Sequence, residues 1–509
     1  MKKHKKVKLI PLRYIISISI TVLEVLLVIG MVVFWCKKYP YFLSFILICE
    51  ILCVISILGS DDNPDYKIPW LLVITLLPVA GYMLYLIFAS RKVSQKNLIK
   101  LKKLAQNGYE KNDFLNFEKL KNEDIASYNQ FKMLSKISST NLFRKTSTNY
   151  YGDINDLLFD LLNDLKNAKS FIFIEFFIIE NGYFWDSILD ILKEKVKEGV
   201  DCRVVYDDVG CMAKLPSNYL KVLNSYGIKL AVFSRLKGGL NGKFNNRNHR
   251  KFIVIDGIVC YTGGFNLADE YVNKIQKFGH WKDVGIRLYG EACWFFTKTF
   301  IMDFGFYCDD YKALPNNLYP TVDICDNGFI MPFSDGPKPL YKREVGKSVI
   351  KSLVACSNKY FYITTPYLII DNDLSSDIEN AALRGVDVRI IVPKIPDKKL
   401  IYLMTKTSFK RLIGAGVKVY EYTPGFIHAK TYLVDDNYAM IGTINLDYRS
   451  LVHHYENGVL MYKASAVEKM KGDLEEVIKN SRLIEKEELK SGVFERIFTS
   501  LVKLFAPLM

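Results

Sequence analysis

The feature that most constrains this chain is a short frame that occurs twice. At Ile427-His428-Ala429-Lys430-Thr431-Tyr432-Leu433-Val434-Asp435, lysine follows histidine at +2 and aspartate follows it at +7. The same frame stands at His249, Lys251 and Asp256. The agreement runs on: glycine lies 14 residues after each histidine (Gly263, Gly442), and asparagine lies 17 after (Asn266, Asn445). The chain has six histidines in 509 residues. At ordinary frequencies one histidine has roughly a 1% chance of this Lys and Asp placement. Two hits with matching Gly and Asn leave coincidence a poor account, and the pair reads as one site built from two copies of a motif.

The sequence around the frames repeats as well. Glu198-Gly199-Val200-Asp201-Cys202-Arg203-Val204-Val205 matches Arg384-Gly385-Val386-Asp387-Val388-Arg389-Ile390-Ile391. Tyr226-Gly227-Ile228-Lys229-Leu230 matches Ala415-Gly416-Val417-Lys418-Val419. The apolar run 171–179 has its counterpart at 360–370, and helical patterns such as 185–198 and 374–383 lie between the strands. Strand–helix–strand alternation with β-branched runs indicates α/β units around largely buried sheets. Within each frame, His and Lys at +2 project to one face of a strand, while Ala429 and Thr431 face the core. Aspartate at +7 has the odd spacing and falls near the strand end, which suits a turn or support role.

Two imidazoles on one phosphate suit a two-step transfer. One attacks phosphorus, and the other moves protons to the leaving and from the incoming hydroxyl. Lys251 and Lys430 bring positive charge to the non-bridging oxygens, and Asn266 and Asn445 bring neutral donors. A carboxylate behind each ring would fix its tautomer. Asp283 and Glu456 each precede an apolar strand after their motif, and an ordinary strand-edge acid is an equal reading of either. They complete the expected substrate-binding set with the two asparagines. His4, His280, His453 and His454 have no such frame and read as surface or supporting residues. The ten cysteines form no CxxC pair, and no His, Cys, Asp or Glu cluster at ligand spacing appears, so no metal and no cofactor is expected.

The first 90 residues set the compartment. Lys2, Lys3, Lys5, Lys6, Lys8 and Arg13 precede apolar runs at 14–35, 41–58 and 68–88. A span needs about 20 apolar residues, so the first and third qualify and the second is marginal. The first run is too long for a signal peptide's apolar region and lacks a small-residue cleavage site. Glu24 and Glu50 inside the runs are expected to face protein or to sit protonated. Arg91, Lys92, Lys96, Lys100, Lys102 and Lys103 follow the third run. By the positive-inside rule, that places the large C-terminal part in the cytoplasm. The expected topology has the third run crossing and the acidic turn at 61–65 outside. One of the first two runs is then re-entrant, or the N-terminus is outside. With these segments, the net charge of +15 reads as attraction to an anionic membrane rather than to nucleic acid.

The two HxKxxxxD frames resemble the phospholipase D superfamily. Asn246-Arg247-Asn248-His249-Arg250-Lys251, Thr262-Gly263-Gly264-Phe265-Asn266 and Gly442-Thr443-Ile444-Asn445-Leu446-Asp447-Tyr448-Arg449-Ser450 are similar to bacterial cardiolipin synthases. So are Asp269-Glu270-Tyr271, Tyr206-Asp207-Asp208, Thr365-Pro366-Tyr367 and Pro424-Gly425-Phe426. The resemblance runs from about residue 68 to 509. It departs upstream, where that family reads as two spans and this chain offers three.

The resemblance implies two phospholipase D-like α/β halves forming one active site at their interface, behind N-terminal transmembrane helices. The expected divisions are a membrane anchor (1–90), a polar helical linker (91–149), the first half (150–325), the second half (326–480) and a C-terminal amphipathic helix (481–509). It further implies condensation of two phosphatidylglycerol molecules to cardiolipin and glycerol in the cell membrane, without metal or nucleotide. The catalytic set is then His249, Lys251, Asp256, His428, Lys430 and Asp435, with His249 the nucleophile, His428 the acid and base, and the motif Asp supportive. Water or another alcohol as acceptor is the alternative. In the tail, Val493, Phe494, Ile497, Phe498, Leu501, Val502, Leu504 and Phe505 recur at helical spacing. That helix either packs on the catalytic core or dips into the membrane interface.

Overall fold

The computed structural model describes residues 12–77, 79–89, 95–106, 113–235, 246–308, 319–320, 322, 324, 328–338, 340–341, 343–489, 492, 499–504 and 506. Each frame lies in its own mixed sheet. The first sheet has seven strands, in the spatial order Thr146–Tyr151, Gly285–Gly290, Val259–Gly263, Lys251–Ile255, Phe171–Phe176, Asp201–Asp207, Lys229–Phe233. The second repeats that order from Phe329–Asp335 through Glu456–Tyr462, Tyr438–Gly442, Thr431–Val434, Tyr360–Thr364 and Asp387–Pro393 to Lys418–Tyr422, and adds Ser481–Leu483 at the edge. In both, the strand that carries the frame is antiparallel to its neighbours, and the strands on the far side run parallel.

Alternation along these strands feeds different cores. Ile253 and Ile255 join Leu157, Leu161, Ile188 and Leu192 under the first half's helices. Phe252 and Val254, on the other face, meet Ala429, Leu433 and Ile441 of the second half in a shared core. Tyr432 and Val434 belong to the second half's own core. Sheets buried on both faces need near-continuous apolar strands, which is how these read. The helices present matching stripes: Ile154–Lys166 starts where the Asp153 carboxylate accepts from Asn155 N at 2.8 Å, and buries Leu157, Leu158, Leu161 and Leu165.

Upstream, helix α1 spans Leu12–Lys38 and α2 spans Pro40–Leu58. The third apolar run does not form one crossing helix. It breaks into α3 (Pro64–Leu76) and α4 (Ala80–Phe88), which fold back on each other. Trp70 meets Tyr85 edge-on at 5.4 Å, and a Cβ on Gly81 would strike the Val73 carbonyl. Val79 at the break has φ 66°, and its N–H donates to Glu50 Oε2 at 3.2 Å. Glu50 thus faces protein, as its place in an apolar run required. The acidic turn before α3 docks on the second half. Asn63 Nδ2 donates to Asp371 Oδ2 at 2.5 Å, and Asp65 Oδ2 accepts from Asn372 N at 2.9 Å and from the Tyr448 hydroxyl at 3.1 Å. Among the described residues one helix, Tyr41–Leu58, is long and apolar enough to cross a membrane, and 17% of it is buried.

Of the expected tail helix, Val493, Phe494, Ile497, Phe498 and Phe505 lie outside the described residues. Residues 499–504 are helical; Thr499, Ser500 and Lys503 line one cavity with Lys406 and Lys410 of Lys399–Gly414.

Candidate active site

The two frames meet across the interface, and they do so by exchange. Gly425–Ile427 runs parallel to His280–Lys282, so a strand of the second half pairs with one of the first. His428 N donates to Lys282 O at 2.7 Å. At the symmetric place Asn248 pairs with Tyr455, and His249 N donates to Tyr455 O at 2.8 Å. Each pairing delivers the next residue's carboxylate to the other half's histidine. Glu456 stands 2.9 Å from His249 Nδ1, and Asp283 stands 2.7 Å from His428 Nδ1. The Thr443 hydroxyl also donates to Glu456. Asp283 and Glu456 therefore hold the rings from behind; a carboxylate at Nδ1 favours the proton on that nitrogen and leaves Nε2 of each ring turned away from it.

Burial sets the protonation of the pair. It lowers the His249 pKa to about 3, with Lys251 and His454 pressing the same way and Glu456 opposing. It lowers that of His428 to about 4, helped by Lys430 and Lys251 and opposed by Asp283. Both rings are neutral at pH 7, the form a nucleophile or base needs. Glu456, although buried, is kept ionised by His249. Burial also lowers Lys430 to about 8 and takes Lys251 well below its ordinary value. The Lys251 Nζ donates to His249 O at 2.7 Å, and the Lys430 Nζ lies against the His428 ring, 2.7 Å from Nδ1 and 3.0 Å from Nε2.

The remaining expected residues divide. Asn266 accepts from Ile178 N at 3.1 Å and donates to the Tyr271 hydroxyl at 2.6 Å; the Tyr271 ring meets His428 edge-on at 5.4 Å. Asn445 donates to Asp447 at 3.1 Å, and its buried Oδ1 has no hydrogen-bond partner among the described residues. Asp256 and Asp435 are not brought to the rings. Each sits in the hairpin at the strand's far end, at φ 51° and 52°. Asp256 accepts from the N–H groups of Lys169, Ser170 and Phe171, and Asp435 from those of Asn358, Lys359 and Tyr360. The paired glycines have an equally local cause: a Cβ on Gly263 would strike the Val284 carbonyl, and one on Gly442 the Asn457 carbonyl. Those contacts let the strand bearing each carboxylate lie close.

Some residues were not marked by the frames. Under His249, the fully buried Arg250 pairs with Asp303 and lies 3.7 Å from Glu175, while Asn248 Nδ2 donates to Glu175 at 2.7 Å. Asn457, from the second half, accepts from Lys251 N at 3.1 Å and donates to Thr262 at 2.8 Å. His454, expected at the surface or in support, is buried beside His249, with ring centroids 5.5 Å apart. His249, His454 and Glu456 bring ligand-type atoms within 4.8 Å of one another, a cluster absent from the linear spacing.

Known proteins resemble this chain. The family model described as cardiolipin synthase, PLD-like domain, matches residues 161–277 and 350–478, one frame in each stretch. A cardiolipin synthase of Halalkalibacterium halodurans is 32% identical over 461 residues, covering 89% of this chain and 91% of that protein. The chain belongs to the cardiolipin synthase family of phospholipase D-like proteins. Within reach of that family, an uncharacterized protein of Streptococcus mutans is 40% identical over 460 residues, 90% of this chain and 99% of its own length. Residues 51–89 match a phospholipase D-nuclease N-terminal model, so the family likeness includes the α3–α4 hairpin. The phosphatidylserine synthase of Haemophilus influenzae shares the fold, with a TM-score of 0.58 at 18% identity over 75% of this chain and 98% of that one.

Proposed function

We propose that this chain is a cardiolipin synthase acting on phosphatidylglycerol. The observation that carries the reading is the pair of neutral histidines, each held at Nδ1 by the other half's carboxylate, in a chain 32% identical to a cardiolipin synthase. His249 Nε2 attacks the phosphorus of one phosphatidylglycerol, and the P–O bond to the terminal glycerol breaks. His428 supplies the proton that the glycerol oxygen takes up, so glycerol leaves and phosphatidyl-His249 remains. The terminal hydroxyl of a second phosphatidylglycerol then gives its proton to His428 and attacks phosphorus. The P–N bond breaks, cardiolipin leaves, and His249 is free again. Lys251 and Lys430 offset charge on the non-bridging oxygens.

His428 is neutral in the empty site, so its acid form depends on the arriving phosphate anion, which favours imidazolium beside it. The test is product analysis with purified protein and headgroup-labelled phosphatidylglycerol. Cardiolipin and free glycerol in equal amounts support the reading, whereas phosphatidic acid as the main product would make the chain a hydrolase.

The same reading extends to the membrane. Leu26, Leu27, Ile51, Leu52 and Ile55 are each about 60% exposed, which suits lipid and not water. On this reading α1 crosses the membrane together with α2, so the connection at Lys38–Pro40 lies on the side opposite the catalytic halves. The α3–α4 hairpin re-enters from the catalytic side, where Asp65 and Asn63 are bonded to the second half. This places the acidic turn beside the catalytic domain rather than outside. It also puts both basic segments in the cytoplasm, as charge bias favours.

A further inference from the structure

The two faces of the site are related copies, and one pair of rings at matching positions differs in chemistry. Trp281 and His454 each stand two residues before the carboxylate that holds the opposite half's histidine, at the same place in the cross-half pairing. The Trp281 ring lies 5.6 Å from His428 with 44° between the planes. The His454 ring lies 5.5 Å from His249, also with 44° between the planes. The placement is shared and the chemistry is not, because an imidazole offers both a donor and an acceptor where an indole offers one donor.

His454 is buried, and neither of its ring nitrogens has a hydrogen-bond partner among the described residues. Glu456 is 3.8 Å from its Nδ1, too far for a hydrogen bond, and that carboxylate is already engaged by His249 and Thr443. A residue needed only to cover His249 could be a hydrocarbon ring, as Phe177 is on another side of the same imidazole at 5.1 Å. A buried N–H without a partner is costly and calls for an explanation. The side chains of His249, His428 and His454 are also open to the same small degree, 9%, 10% and 10%.

We propose that His454 is a third imidazole of the reaction site, donating a ring N–H to a non-bridging oxygen of the phosphoryl group that His249 attacks and carries. The inference rests on the phosphatidyl-transfer reading above. It completes the orphaned donor with substrate, and it adds a donor on the nucleophile's side that its counterpart Trp281 provides only as an indole N–H beside His428.

The test uses full-length, EDTA-washed protein in phosphatidylglycerol micelles, with orthovanadate as a phosphoryl-mimicking probe. His454→Phe keeps the ring and removes the donor, and His454→Asn keeps a donor. The expected result for His454→Phe is roughly tenfold weaker vanadate inhibition and a similar fall in kcat, with His454→Asn recovering part of both and melting unchanged. Vanadate inhibition and kcat within about twofold of wild type in His454→Phe would overturn the inference. So would unchanged vanadate affinity with a displaced pH profile, since His454 would then act through Glu456 as a positioning residue. If His454→Phe does not fold, the same limits apply to His454→Asn. Wild-type protein that binds vanadate but makes no cardiolipin would instead count against the transfer reading.

Discussion

At the scale of single residues, the exchange of carboxylates makes the two halves mutually dependent. His249→Ala and His428→Ala are each expected to lower cardiolipin formation by at least about a thousandfold, since neither ring can take both roles. The sharper expectation concerns the partners: Glu456→Gln should impair attack by His249, and Asp283→Asn should impair proton transfer by His428, each by roughly 10- to 100-fold. Single-turnover trapping should show phosphatidyl-enzyme forming more slowly in both variants, because glycerol departure needs the His428 proton as well as attack by His249. Lys430, with its pKa lowered to about 8, is a cation below that pH and neutral above it. Activity that needs its charge should therefore decline above about pH 8, and Lys430→Arg should move that limb upward, as a pH series of kcat/KM will read. Stability has its own sign. His249 and His428 have pKa values of about 3 and about 4 folded, against about 6.5 for an ordinary histidine, so the unfolded chain binds more protons once pH falls below 6.5. Stability present above pH 6.5 is lost towards pH 4, at roughly 1.4 kcal/mol per pH unit for each ring, which chemical denaturation at stepped pH will show.

At the scale of elements, the hairpin carboxylates separate structure from chemistry. Asp256→Ala and Asp435→Ala each strip three backbone N–H groups of their acceptor, and should destabilise by roughly 1–3 kcal/mol, read as a lowered melting temperature. If a variant that remains folded lost as much activity as His249→Ala, the supporting role would be wrong. The odd spacing of these aspartates made that role legible from sequence, as the even spacing did for His and Lys. The repeat of strand order was legible too, because each half's strands recur in the same succession. What one dimension does not encode is partner choice across the interface. Glu456 follows the second frame yet serves the first, and nothing in its spacing says so. His454 was missed for the same reason, although aligning Trp281-Lys282-Asp283 with His454-Tyr455-Glu456 places it beside a histidine. The apolar run at 68–88 misled because length was taken as a crossing; Gly81 and the break at Val79 fold it back instead.

At the scale of the whole molecule, the proposed topology, with the acidic turn docked on the second half, predicts which connections can be reached from outside a cell. A cysteine at Tyr39 should be labelled by an impermeant reagent in intact cells, and one at Asp62 should not; the reverse pattern would invert the topology. Order of synthesis adds something that the finished fold conceals. On the topology proposed above, the first 90 residues enter the bilayer while translation continues, so His249 emerges close to phospholipid. Its Glu456 lies 207 residues downstream. At about 5–20 residues per second, roughly 10–40 seconds pass before that carboxylate exists. During that interval the half-made protein has a nucleophile without its orienting acid and without the second histidine. On that reading a nascent chain, or one truncated by a stalled ribosome, lacks the acid and the second histidine that phosphatidyl transfer needs.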